Sequence, residues 1–423
     1  MSEQTGTLGV PRGAALYVGA LVGPGVLLVP ALAADAAGPA AIVAWAALLV
    51  LSLPLAITFA TLGVRHPVAG GVTAYVEEGF GAHAAAVTGT IFLAAVVLGA
   101  PAVALIGGLY VADLTGGGTA VAAPVGGAMF ALVLAVNAFG LRVSSGVQFA
   151  LSAVLVGVIV VATVTALPDR AGDGWEPFAP HGWWAVGTAA NLLVWLFFGW
   201  EAMAQMAGDF KDPRHALPRA VALAYVTIVA LYLALAVASV TVISGDSEVP
   251  LADLLEAGLG EAGRNATAVL AVALTMGTMN IYLGGASKLA AALAQQQALP
   301  AWLGAEPVPR TIPRRPLVLL ALTGVVLLGL LTADLMEPED LVRATSACFV
   351  SVYVLALASA TRILDTPRAR AIAATALALI VIVTIFSAEF LIVPLTVAAL
   401  TLAVRGRGRA RPPAALRGRS SRR

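Results

Sequence analysis

The chain has 423 residues, of which 60% are hydrophobic and 11% charged, with a mean hydropathy of +0.94. A soluble globule does not have that balance, so a water-borne enzyme or binding module is excluded. With 24 Lys and Arg against 23 Asp and Glu, no nucleic-acid partner is expected, and the single cysteine, Cys348, excludes an intramolecular disulfide and reads as a packed core thiol.

A bilayer core of about 30 Å needs about 20 helical residues. Twelve stretches free of Asp, Glu, Lys and Arg have suitable lengths: 13–34, 36–64, 84–112, 114–141, 143–168, 182–200, 220–245, 265–287, 316–333, 344–361, 371–388 and 390–404. The last is the shortest. Strict apolar/polar alternation is absent, which argues against a membrane β-barrel. The start, MSEQTGTLGVPR, lacks a positive leader with a cleavage site, so the first helix is expected to stay as an anchor. With twelve crossings and both termini cytoplasmic, only Arg170, Arg264 and Arg343 of the 24 Lys and Arg fall outside. That asymmetry is the one the positive-inside rule demands, and the expected location is a cytoplasmic membrane.

Within 13–34 the middle reads Gly23-Pro24-Gly25. Proline removes an N–H and clashes with the preceding turn, while glycine lets the backbone unwind. Unwinding frees main-chain groups that a ligand or cavity water must satisfy. A half-helix N-terminus suits a carboxylate and free carbonyls suit an ammonium, so the break fits a zwitterion. Gly and Pro also mark simple kinks and close crossings, so the triplet alone supports either reading. Asp35, beyond the break, reads as a solvated group. The stretch 66–83 has an amphipathic middle and is expected to lie along the membrane face. Segments 169–182 and 245–264 are acidic; bland connectors are the default reading and lids the alternative.

The second anomaly is Phe198-Gly199-Trp200 followed by Glu201, five helices after the first. A carboxylate at membrane depth is a functional candidate, with a structural hydrogen bond as the competing reading. Interrupted helices at matching places in two halves are the sign of an inverted-repeat transporter. The expected fold is therefore an all-α membrane protein of twelve helices. Residues 1–404 form one transmembrane domain, a 5+5 inverted repeat with helices 1 and 6 broken. Repeat one covers about 10–168, repeat two about 182–362, and two extra helices about 370–404. Residues 405–423 read as a disordered, basic cytoplasmic tail that fixes topology, with contact to anionic lipid as a lesser alternative.

Four segments resemble the amino acid–polyamine–organocation superfamily. They are GVLLVPALAADAAGPAAIVAW (25–45), PVAGGVTAYVEEGFG (67–81), FFGWEAMAQMAGDFKDPRHALPRA (197–220) and NIYLGGASKLAAALAQQQALP (280–300). In length and apolar pattern the chain is most similar to bacterial exporters of methionine and branched-chain amino acids. The resemblance implies that Val22, Gly23, Pro24, Gly25 and Val26 bind substrate, the unwound stretch Gly23 to Val26 offering main-chain N–H groups to its carboxylate. Carbonyls around Phe197, Phe198, Gly199 and Trp200 would receive the amino group. Trp195 matches the aromatic that closes over substrate in arginine/agmatine antiporters, and Glu201 their proton-sensing glutamate. Tyr282 matches the eighth-helix gate aromatic, with ordinary packing as the competing reading. Some proton-coupled relatives carry a lysine seven residues after a Gln resembling Gln148; here that position is Leu155. Glu201 becomes the leading protonation site.

Apart from Glu201 and Asp35 the apolar runs hold no carboxylate, so the pocket favours a neutral, apolar side chain. Proton-coupled efflux of neutral hydrophobic amino acids is the expected activity, with the proton as coupling ion and no other cofactor or metal. The alternatives are an uptake permease or exchanger of other range, and a non-transporting amino acid sensor. Enzymatic activity is not expected. His66, His83, His181 and His215 read as loop residues without H-E-x-x-H spacing, and GLGEAG (258–263) follows no strand.

Overall fold

Pro11 opens α1 (Val10–Leu21), where a missing N–H is harmless because the first helical N–H groups have no intrahelical partner. The computed structural model describes residues 8–66, 71–140, 145–166, 175–201, 207–241, 247–304, 312–333 and 335–409. Residues 67–70 and 202–206 of the second and third motifs, 169–174 of the first acidic segment, 245–246 of the second, and 410–423 of the tail lie outside them. So do Arg142, Arg170 and Arg310.

The helix α1 stops at Val22, and Gly23 is extended at φ −111° and ψ −173°. A tight 3-10 turn, Pro24–Leu27, leads into α2 (Val29–Ala37). A second such turn at Gly38–Ala40 feeds α3 (Ala41–Arg65). The amphipathic stretch forms α4 (Val72–Phe80), burying Val72, Tyr75 and Val76. Then come α5 (Ala82–Thr115), α6 (Gly118–Ala138), α7 (Ser145–Ala166) and α8 (Trp184–Leu193). A 3-10 turn at Val194–Phe197 ends α8. The remainder is α9 (Pro213–Thr241), α10 (Pro250–Leu259), α11 (Glu261–Gln295), α12 (Arg314–Thr332), α13 (Pro338–Ile363), α14 (Pro367–Ile385) and α15 (Ile392–Arg409). Among the described residues there is no strand, only an isolated parallel bridge between Leu8 and Phe210.

Ten helices among the described residues are long and apolar enough to cross a membrane by length and composition, α2 and α3 being taken there as one run. The stretches 13–34 and 182–200 are not matched by single long helices: the first is interrupted between Leu21 and Val29, and in the second α8 gives way to a 3-10 turn at Val194–Phe197 and an extended Phe198. Several helices outrun their charge-free stretches. Thus His83 and His215, expected in loops, lie in the first turns of α5 and α9. Likewise α15 continues through Arg405 to Arg409, so the first residues assigned to a disordered tail are helical. Arginine is a good helix former, and no proline intervenes before Pro412.

At the centre α5 packs against α6, α11 and α13, with α1 and α3 both against α9. Peripheral α14 and α15 expose Val381, Ile382, Ile385, Ile392, Leu395 and Leu400. Such an apolar exterior is tolerable in lipid and not in water. Polar ties hold the periphery: Thr90 on α5 meets Thr401 on α15 at 2.8 Å, and Asn191 donates to Ser387 at 2.5 Å.

The second acidic segment forms a clamp. Arg264 donates from Nε to Asp113 Oδ2 at 2.7 Å, and also pairs with Asp253 and Glu256. This binds α10 to the end of α5 and the start of α11. Burial pushes the Asp253 carboxyl above its usual range, against the hydrogen bond from Ser247 and the charge of Arg264. Asp35 is exposed at the end of α2.

Candidate functional site

Breaking two helices inside an apolar bundle strands carbonyl groups, and three tyrosines deal with the consequences. Tyr232 on α9 is fully buried; its hydroxyl lies 3.1 Å from the Leu21 carbonyl and 3.0 Å from that of Leu196, donating to both ends of the unwound segments. Tyr110 on α5 donates to the Leu27 carbonyl at 2.8 Å. Tyr353 on α13 donates to Glu201 Oε2, which also accepts from the Gly199 N–H at 2.8 Å. Glu201 thus folds back onto its own broken helix. Exchanging Tyr232 for Phe leaves two carbonyls in an apolar setting without that donor. A destabilisation of about 1–3 kcal/mol is expected, seen as a lower thermal unfolding midpoint at unchanged helical circular dichroism.

The breaks also touch. Gly199 has φ +141°, and a Cβ built there would sit 2.9 Å from the Ala20 carbonyl oxygen. At Gly25 a Cβ would meet Leu196 Cδ2 at 2.9 Å. Glycine is required at Gly199 for both backbone conformation and space.

Between the breaks lies a cavity of about 260 Å³. The first break contributes Gly23, Pro24 and Gly25 to its wall, and the second Trp195, Phe198, Gly199 and Glu201. From α5 come Ala95, Gly99 and Val103; from α13, Thr345 and Phe349; from α11, Thr278 and Tyr282. Phe198 stacks on Phe349 at 4.6 Å and stands edge-on to Tyr353 at 5.0 Å. Trp195 is partly buried, whereas Tyr282 is exposed. Gln148 on α7 donates to Thr278 Oγ1 at 3.2 Å. Its buried Oε1 and the buried Thr345 Oγ1 have no hydrogen-bond partner among the described residues. Unpartnered polar atoms on cavity-lining residues suit a ligand or water.

Of the residues singled out in the sequence, Val22, Val26, Phe197 and Trp200 are buried and do not line the cavity. Phe197 joins Trp45 and Tyr232 in a three-ring cluster, at 6.4 Å and 5.3 Å, and Trp200 packs near Tyr225. Sequence reasoning did not find Tyr353, Phe349, Thr345 or the α5 residues. The signal for Tyr353 was a phenol in an otherwise small and apolar run, TSACFVSVYVLALASAT.

The sequence model described as amino acid permease matches residues 8–406, nearly the whole chain. The chain belongs to the amino acid permease family. Among relatives, it is 32% identical over 359 residues to the uncharacterized amino acid permease YecA of Bacillus subtilis (strain 168), covering 84% of each chain. It is 33% identical over 238 residues to the L-methionine/branched-chain amino acid exporter YjeH of Escherichia coli (strain K12), covering 52% of the permease and 53% of that relative. Similarity to the glutamate/serine transporter AimA of B. subtilis is 27% over 240 residues, 52% and 44% of the two chains. The permease is thus a multi-pass membrane protein of amino acid transport and not an enzyme, and it resembles the wider amino acid–polyamine–organocation superfamily as its four motifs implied.

Proposed function

We propose that the permease moves neutral, hydrophobic amino acids outward in exchange for protons, by alternating access. The observation that carries this reading is the cavity between the two unwound segments. Its volume suits a small solute. Its described wall is mostly Gly, Ala, Val, Leu and Phe, with Glu201 the carboxylate and no Lys, Arg or His. A cationic side chain would have to share Glu201, and an anionic one would find no partner. That argues against the range in the name of the B. subtilis glutamate/serine transporter. It favours the range in the name of the E. coli exporter.

In this reading the substrate carboxylate meets the main chain of Gly23–Gly25, which lines the cavity, and the ammonium meets carbonyls that follow Leu196, whose own carbonyl Tyr232 engages. Trp195 and Phe198 cover the side chain. Glu201 carries the coupling proton, with no other cofactor. Both termini are cytoplasmic and the chain crosses twelve times, the broken α1–α2 and α8 segments counting as one crossing each. Helices up to α7 form one repeat and those from α8 to α13 its inverted counterpart, with α14 and α15 added.

Purified permease in proteoliposomes tests the reading. Labelled leucine and methionine are expected to cross, and a pH step to drive them uphill, while lysine and glutamate stay put. Equal movement of glutamate would sink the substrate assignment. Binding without flux of any amino acid would favour the sensor reading.

A further inference from the structure

A second cavity, of about 320 Å³, lies on the other side of α1, between α1, α7 and α9. Gly19 borders both cavities, so α1 is the partition between them. Pro11, Ala15 and Val18 line the groove from α1, Phe149 and Ala153 from α7, and Leu223 from α9. Two hydroxyls reach it and both are engaged: Ser152 donates to the Gly19 carbonyl at 3.4 Å, and Thr227 to the Leu223 carbonyl at 2.9 Å. The groove therefore offers its occupant dispersion contacts and almost no hydrogen bonds. That is the chemistry of hydrocarbon.

One end of the groove is charged. Arg12 precedes Ala15 by three residues and Gly19 by seven; Arg219 precedes Leu223 by four and Thr227 by eight. Each arginine sits on the helix stripe that borders the groove. The parallel bridge of Leu8 with Phe210 starts α1 and α9 side by side. A Cβ on Gly13 would lie 3.3 Å from Ala220 Cβ, so the residues next to the two arginines meet across the interface and hold both at one level. Arg12 and Arg219 are exposed, and among the described residues neither has an ion-pair partner, whereas Arg65, Arg264 and Arg343 do. From Arg12 to Gly19 the groove runs about 10 Å along α1, against about 15 Å for the hydrocarbon of one leaflet.

We propose that this groove holds an acyl chain of an anionic phospholipid whose phosphate is bound by Arg12 and Arg219. The site is independent of which solute the inner cavity carries. Native mass spectrometry tests it on the purified permease, offered phosphatidylglycerol and phosphatidylcholine with identical acyl chains. Wild type is expected to retain phosphatidylglycerol preferentially. Each of Arg12→Gln and Arg219→Gln is expected to reduce that preference about five-fold, and the double variant about twenty-five-fold. Ala153→Phe fills the groove from an exposed position and is expected to lower retention of both lipids. Arg368→Gln, on α14, is expected to change nothing. Glycerol phosphate, the headgroup without chains, is expected not to displace the lipid. The proposal is overturned if the double variant keeps wild-type preference, if Arg368→Gln lowers it equally, or if glycerol phosphate competes. Wild-type retention by a folded Ala153→Phe protein would also overturn it. The arginine variants decide alone should that one misfold.

Discussion

Glu201→Gln is expected to make amino acid flux indifferent to an imposed pH gradient. If one proton is exchanged per substrate, a gradient of one pH unit supplies about 1.4 kcal/mol, enough for a tenfold substrate gradient. Wild-type vesicles should approach that ratio, and the variant should settle near unity while still equilibrating labelled substrate. The substitution isolates the proton because glutamine retains an oxygen able to accept from the Gly199 N–H and the Tyr353 hydroxyl, the partners of Glu201 in the structure. Only the ability to lose a proton disappears. Among the described cavity-lining residues no other carboxylate could take over the role. A variant that still follows the gradient as wild type does would remove Glu201 from coupling.

The second large effect is expected at Gly199→Ala. A left-handed φ of +141° costs an L-residue about 1–3 kcal/mol. The added methyl must also displace the Ala20 carbonyl, 2.9 Å away, and Leu21 Cδ2 at 3.3 Å. Backbone cannot yield as a flexible side chain does, so the two breaks are forced apart and the cavity between them changes shape. Flux is expected to fall more than tenfold, with a lower melting midpoint. Gly127→Ala on α6 provides the contrast. Nothing lies within 4 Å of its Cβ position, and alanine in a helix interior is favoured by about 0.5–1 kcal/mol. That variant should transport normally and melt no lower. Normal transport by Gly199→Ala would show that the close approach is dispensable.

Both breaks were legible in the sequence because their residues are locally anomalous. Gly23-Pro24-Gly25 cannot continue a helix cheaply, and Glu201 cannot sit in lipid unattended. The helices were legible from composition, since hydrocarbon tolerates little else. The partners of the breaks were not. On α13 most residues from Leu341 to Ala360 are buried, and on α5 burial extends round nearly the whole middle of the helix. A helix apolar on every side has no periodic contrast to mark the face that meets the cavity, so Thr345, Phe349 and Tyr353 gave little sign of their position. The same ambiguity explains the second break, where neighbouring aromatics part company: Phe198 faces the cavity while Phe197 and Trp200 pack away from it.

The Tyr232 hydroxyl has one hydrogen and two claimants at nearly equal range, the carbonyls of Leu21 and Leu196. In this conformation neither wins. A shift of either strand by a few tenths of an ångström would hand the hydrogen to one and strand the other. The phenol therefore works as the pivot of a balance, at which a small tilt in one half of the molecule is felt as an unmet electrostatic demand in the other.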